Sequence, residues 1–177
     1  MNGNWLAGPR LILIDGDVVK DGLIGLCIGA TLIVISMISP LMSLGVPRLP
    51  MAATPVDQFL YISVYAPIVE EFIFRMVFLA IIWVGATAIL MRVGISKKQV
   101  VFLGLVFAVL AVSVGFAIYH WKVYGVGLEM AFIGAASFSI LACMVALWRN
   151  SLVPVILMHF MMNTYILIQR MALITLG

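Results

Sequence analysis

Residues 22–47 contain no charged side chain, and this run constrains the fold more than any other feature of the sequence. A helix of about 20 apolar residues crosses the ~30 Å hydrocarbon layer of a bilayer, so the run is long enough to span a membrane. The composition agrees, because 65% of the residues are hydrophobic and only 10% are charged. Such a chain has too few polar side chains to cover a soluble domain, and it is far too hydrophobic to be disordered. The sequence therefore predicts an all-α, polytopic transmembrane helical bundle.

Prolines and charged residues divide the rest of the chain into further apolar segments. Residues 58–91 as one helix would measure about 50 Å, longer than a bilayer needs, and proline is disfavoured inside a helix. We therefore expect the second span to begin near Pro67, after a short leading segment at 58–66. The later spans are predicted at 99–119, 125–148 and 151–169, which gives five spans, or six if residues 58–66 insert separately. Residues 1–21 are predicted to be an N-terminal interfacial segment, and residues 22–177 the transmembrane bundle.

The charge pattern predicts membrane lipids, and no nucleic acid, as partners of this chain. The formal net charge is +3, and the longest basic run is the pair Lys97-Lys98. A small basic excess in a membrane protein is typical of loop charges that set its orientation. The sequence thus predicts a multi-pass integral protein of the cell membrane.

Six ionisable side chains fall in or near the predicted spans: Glu70, Glu71, Arg75, His120, His159 and, near a span boundary and interpreted as interfacial, Glu129. Each costs roughly 2.5–3.5 kcal/mol on membrane-insertion scales, which makes such residues functional candidates by default. On a helix, residues i and i+4 share a face. That spacing links Glu71 with Arg75, Phe116 with His120, and His159 with Asn163.

The order of the spans predicts that these groups share one layer of the membrane. Glu70 is expected in the first turn of the second span, and His120 in the last turn of the third, on the same side. His159 and Asn163 are expected ~12 and ~18 Å into the last span, which reaches the same depth. Because Glu71 is placed to pair with an arginine, Glu70 is the freer carboxylate.

Each of these residues also has a purely structural interpretation. Two carboxylates after Pro67 suit a helix N-terminus, a lone histidine often joins two membrane helices, and Asn163 suits helix packing. The functional interpretation depends on the coincidence of all of them in one layer.

The same residues spell three motifs in order. Residues 70–75 read EExxxR, residues 116–120 read FxxxH, and residues 159–163 read HxxxN. With this order and spacing on three apolar segments, the chain resembles the CPBP family of CAAX-processing and bacteriocin-processing intramembrane endopeptidases. The resemblance places a protease core at about residues 60–165.

The resemblance implies hydrolysis of a peptide bond in a membrane-associated or lipidated protein or peptide. It implies Glu70 as the general base that activates water, with His120 beside it, and His159 and Asn163 as stabilisers of the oxyanion. The supporting residues would be Glu71, Arg75 and Phe116. The residue types suit this chemistry, because a carboxylate accepts a proton from water and imidazole and carboxamide N–H groups stabilise an oxyanion. No serine or cysteine nucleophile accompanies them, which favours direct attack by water.

Two alternatives stay open on the sequence alone. Glu70, His120 and His159 would also supply three ligands of a zinc ion with an open water position, although the chain has no HExxH. We predict a mechanism without a cofactor. The chain would otherwise be a proton-coupled transporter, since buried Glu and His also form proton relays, or a scaffold or immunity-type protein without turnover. The absence of a visible inverted repeat argues against a transporter.

Overall fold

The computed structural model describes residues 17–38, 54–94 and 96–176, with side chains to residue 172. Throughout these ranges the chain is almost entirely helical and contains no strand. Its long helices are α1 (Val18–Ile38), α2 (Pro55–Val93), α3 (Lys97–Tyr124), α4 (Leu128–Arg149) and α5 (Val153–Leu176). The predicted all-α class is therefore confirmed.

Helices α1 to α4 are each long and apolar enough to cross a membrane. Helix α5 is 24 residues long, and polar residues such as His159 and Asn163 interrupt its apolar sequence. The outside of the bundle carries large exposed apolar side chains, such as Ile81, Phe102 and Phe107. Such a surface is stable in lipid and insoluble in water, so the architecture is that of a helical membrane bundle.

Helix α1 begins at Val18, four residues earlier than the predicted span. The Asp17 carboxylate accepts hydrogen bonds from the backbone N–H groups of Val19 (3.1 Å) and Lys20 (3.2 Å), which caps the helix. Asp21 lies inside α1 because its buried carboxylate is paired with Arg149, with Nε and Nη2 each 2.7 Å from Oδ1. Residues 18–21 of the predicted interfacial segment are thus helical, and residues 1–16 and 39–53 lie outside the described residues.

Helix α2 is continuous, so the predicted helix start near Pro67 is wrong. It begins at Pro55 after a capping box formed by Thr54 and Asp57, and it includes residues 58–66. The turns before Pro67 are π-helical over Leu60–Tyr65, and the Ala66 N–H donates to the carbonyl five residues back. In the same pattern, residue 67 would donate to the carbonyl of Ile62. Pro67 has no N–H, so it cannot make this hydrogen bond.

A side chain from α5 takes the place of the missing donor. Asn163 Nδ2 donates to the Ile62 carbonyl oxygen at 2.9 Å. The proline is therefore tolerated within α2 because a tertiary contact satisfies the backbone group that it leaves free.

Helices α3, α4 and α5 follow one another through short turns. Ser96 and Gln99 form the capping box of α3, and α3 ends at Gly125 with φ 65°. Helix α4 ends at Asn150, whose φ of 52° is the left-handed conformation that asparagine adopts more readily than most residues. The tight α4–α5 connection fixes the start of the helix that carries His159.

Aromatic side chains from three helices meet in the centre of the bundle. Phe74 of α2 packs edge-on against Phe116 of α3, with ring centroids 5.1 Å apart. Phe116 in turn lies 6.1 Å from the ring of Phe138 on α4. These rings and Met158 of α5 are buried, and they surround the polar residues described next.

Candidate active site

Two adjacent carboxylates occupy the middle of α2. Glu70 and Glu71 lie between the π-helical stretches Leu60–Tyr65 and Phe72–Phe78, and they are 4% and 0% exposed. They are about four turns from the start of α2 at Pro55, not in a first turn as the sequence predicted. They therefore do not serve to complement a helix N-terminus, and π-helical turns are frequent at functional sites.

Glu71 is the centre of a fully buried charge cluster. Arg75 Nε lies 3.0 Å from Glu71 Oε2, one helical turn away, and His159 Nδ1 lies 2.7 Å from Glu71 Oε1. The Arg75 guanidinium carbon also sits 4.4 Å from the centre of the Phe116 ring. The ion pair and the ring together compensate a cation that has no contact with solvent.

Glu70 faces both histidines of the chain. Its Oε2 atom lies 3.8 Å from His120 Nε2 and 3.9 Å from His159 Nε2. All three side chains are buried, and within the described residues Glu70 Oε2 and His159 Nε2 have no hydrogen-bond partner. These atoms are thus directed at a shared point where a small polar molecule would satisfy them.

Hydrogen bonds to the other ring nitrogens orient both imidazoles. His120 Nδ1 lies 3.0 Å from the carbonyl oxygen of Phe116, and His159 Nδ1 contacts the Glu71 carboxylate. Because a carbonyl and a carboxylate oxygen only accept, each Nδ1 carries a proton. In a neutral imidazole Nε2 is then the lone-pair nitrogen, and it is the atom that faces Glu70.

Asn163 lies one turn beyond His159 on the same face of α5. One amide N–H bonds the Ile62 carbonyl, which leaves the second N–H for another acceptor. The structure thus brings together Glu70, His120 and His159 directly, and it ties Asn163 to the same helix that carries the carboxylates.

Tyr124 was not predicted as part of the site. Its hydroxyl donates a hydrogen bond to Glu70 Oε1, and its ring packs against the His120 ring with centroids 4.9 Å apart. The sequence carries a signal for it, because Tyr124 follows His120 by four residues and shares its helix face. Ending the third span at Tyr119 placed it in a loop, whereas α3 continues to Tyr124.

Aromatic rings of α3 and α4 pack against the two histidines of the site. The Phe116 ring lies 4.2 Å from the His120 ring, and the Phe138 ring lies 5.0 Å from the His159 ring, measured between centroids. Apolar walls of this kind exclude bulk water and strengthen electrostatic interactions inside the site.

Glu70, His120 and His159 also offer a set of ligand atoms that suits a metal ion. One ligand atom each from Glu70, His120 and His159 lies within 4.8 Å of the others. A tetrahedral zinc ion holds N and O ligands about 2.0–2.2 Å away, and hence about 3.3–3.5 Å apart, so the set fits after a small inward movement. The anchored Nδ1 atoms are also typical of histidines that bind metals.

Comparison with protein families agrees with this geometry. The pattern described as type II CAAX prenyl endopeptidase Rce1-like matches residues 52–165, which contain Glu70, His120, His159 and Asn163. The chain belongs to the Rce1-like family. Membership identifies an integral membrane protease, and the family predicted from the three motifs is confirmed.

Two further comparisons gave no match to the Rce1-like chain, one with curated proteins and one with solved structures. Helix α1 precedes the matched region, which begins near the start of α2.

Proposed function

We propose that this Rce1-like protein is an intramembrane endopeptidase in which Glu70 activates a water molecule for attack on a peptide carbonyl. The observation that supports the proposal most is that the buried Glu70 Oε2 atom lies 3.8 Å from His120 Nε2 and 3.9 Å from His159 Nε2. A water molecule at this point donates one hydrogen bond to the carboxylate and one to the lone pair of His120. Its oxygen lone pair is then free to attack, and Glu70 takes the proton as the C–O bond forms.

His159 and Asn163 stabilise the oxyanion of the tetrahedral intermediate in this proposal. Asn163 offers its second amide N–H. His159 donates from Nε2, so the scheme requires a proton on this nitrogen as well as on Nδ1. Glu71, 2.7 Å from His159 Nδ1, holds the ring with Nε2 directed into the site. Glu70 finally passes its proton to the leaving amine as the C–N bond breaks.

The proposed substrate is a peptide or protein held at the membrane. The family to which this chain belongs favours a prenylated substrate. Rce1-like proteins are described as CAAX prenyl endopeptidases. We place the protease core at residues 60–165 and the protein in the cell membrane, surrounded by lipids and without a nucleic-acid partner. An isoprenoid chain partitions into the bilayer, which would hold the adjoining peptide bond beside the bundle.

We further propose that the reaction needs no cofactor. The donor set of Glu70, His120 and His159 would hold zinc as a Lewis acid for the attacking water if a metal were required. Without a metal, the carboxylate and the two imidazoles themselves bind water and move its proton, and each has the hydrogen-bonding groups for its part.

Cleavage of a fluorogenic farnesylated CAAX peptide by the protein in nanodiscs tests the proposal. Glu70→Gln keeps the shape and removes the proton acceptor, so we expect kcat to fall roughly 10²–10⁴-fold. Glu129→Gln is the matched control, because Glu129 is an exposed carboxylate in the first turn of α4 and should leave the rate unchanged. A Glu70→Gln protein as active as wild type would overturn the assignment of the base.

Two further measurements separate the alternatives. A strong chelator should leave cleavage intact, and loss of activity that added zinc restores would reassign Glu70, His120 and His159 as ligands. Proton flux in liposomes without any cleavage of lipidated or unlipidated peptides would instead support a proton-coupled transporter, and neither flux nor cleavage would support a scaffold or immunity-type protein.

A further inference from the structure

Glu70 has two oxygen atoms in different surroundings. Oε2 faces the two histidines, whereas Oε1 accepts the hydrogen bond from the Tyr124 hydroxyl. A carboxylate without a fixed donor rotates about its Cγ–Cδ bond. This rotation would exchange the oxygen atom that contacts the proposed water molecule. A donor fixed to one oxygen prevents this exchange.

Tyr124 is well placed to be that donor. It is the last residue of α3, is only 8% exposed, and is followed by Gly125 in the left-handed conformation that ends the helix. Its ring also packs at 89° against the ring of His120, one turn earlier. One side chain thus contacts both the carboxylate and the imidazole between which the proposed water would lie.

A second tyrosine extends the chain of hydroxyl groups. The Tyr119 and Tyr124 hydroxyl oxygens are 3.4 Å apart, and their rings pack with centroids 5.3 Å apart. Because Tyr124 has one phenolic proton and donates it to Glu70, its oxygen accepts from Tyr119. The two bonds point the same way, toward the carboxylate, and hydrogen bonds in such a chain polarise one another. The outer bond is the longer and weaker one.

We infer that Tyr124, supported by Tyr119, is a positioning residue that fixes the Glu70 carboxylate with Oε2 as its reactive oxygen. The inference rests on the proposed role of Glu70 as the base. It assigns to the end of α3 a function that none of the three sequence motifs contains.

Tyr124→Phe removes the hydroxyl and keeps the ring against His120. The free energy of a hydrogen bond to a charged group corresponds to a rate change of roughly 10–100-fold. We therefore expect kcat for the farnesylated peptide to fall by that factor. The KM should be unchanged, because Tyr124 contacts the base and not the substrate in the proposed scheme. Tyr165→Phe is the matched control, since the Tyr165 hydroxyl bonds Gln169 on α5 and should leave kcat unchanged.

A double mutant distinguishes positioning from a general structural role. In the Glu70→Gln background, Tyr124→Phe should lower the residual rate less than about twofold, because the group it positions is already gone. Equal losses in both backgrounds, or an unchanged kcat in Tyr124→Phe, would overturn the inference. Wild-type activity in Glu70→Gln alone would instead overturn the proposed function.

If Tyr124→Phe does not fold, Tyr119→Phe provides the second variant. Tyr119 is partly exposed and contacts Glu70 only through Tyr124 among the hydrogen bonds of the described residues. We expect a fall in kcat of about threefold with an unchanged KM and thermal unfolding midpoint. An unchanged kcat in Tyr119→Phe would then count against the hydroxyl chain.

Discussion

At the scale of single residues, the site depends on charges that are buried in pairs. Arg75 and Glu71 have no solvent exposure, and each would be costly to bury alone. Arg75 contacts Glu71 and the Phe116 ring, and neither contact is with an atom that the proposed reaction changes. We therefore predict that Arg75 organises the site and does not take part in the chemistry.

Arg75→Ala should lower the free energy of unfolding by about 3–5 kcal/mol, because it leaves the Glu71 carboxylate buried without its cation. Folded yield and thermal midpoint in detergent measure this effect. Arg92→Ala, at the exposed end of the same helix, is the control and should change stability by less than about 0.5 kcal/mol. An Arg75→Ala protein that is fully stable and inactive would instead indicate a direct role at the substrate.

At the scale of elements, α2 and α5 are joined by a contact of Asn163, a residue to which the proposed mechanism also gives a catalytic role. Asn163 satisfies the Ile62 carbonyl that Pro67 leaves without a backbone donor, and it is also a proposed donor to the oxyanion. We therefore expect removal of Asn163 to affect stability and catalysis together, and separate variants are needed to distinguish the two effects.

Asn163→Ala should lower stability by roughly 1–3 kcal/mol, because a buried carbonyl loses its donor, and should lower kcat about 10²–10³-fold. Adding Pro67→Ala supplies a backbone N–H for Ile62, so the double variant should regain stability. It should not regain activity, since the second amide N–H is still missing. If the double variant regained both its stability in chemical unfolding and its activity in peptide cleavage, Asn163 would act only through its contact with α2.

At the scale of the whole molecule, the sequence predicted the elements better than their ends. Charge-free runs required membrane helices, and the i, i+4 pairs located the residues that meet in the site. The break at Pro67 was wrong because the donor that rescues its helix lies far along the chain, in Asn163. The third span was ended at Tyr119, whereas α3 continues to Tyr124, whose hydroxyl bonds Glu70 on another helix. A single sequence shows local spacing along the chain, and these two boundaries depend on tertiary contacts that local spacing does not show.

Helix α1 lies outside the matched region and is attached to α5 by close backbone packing. A Cβ atom on Gly25 would lie 2.4 Å from the carbonyl oxygen of Pro154, closer than the backbone can allow, whereas one on Gly22 would meet only the Leu157 side chain at 3.4 Å. Gly25 therefore sets the distance between the two helices, and the Asp21–Arg149 ion pair holds the same end of α1.

Gly25→Ala should destabilise the fold by about 1–3 kcal/mol, since the added methyl pushes α1 away from the helix that carries His159. Gly22→Ala is the same substitution one turn earlier, and it should be neutral or stabilising because alanine is the better helix former. Thermal unfolding in nanodiscs compares the two variants under identical conditions. We expect the kcat of folded Gly25→Ala to stay within about threefold of wild type, because no group that contacts the proposed water has been removed. Equal midpoints for the two variants would show that α1 is not held at this contact.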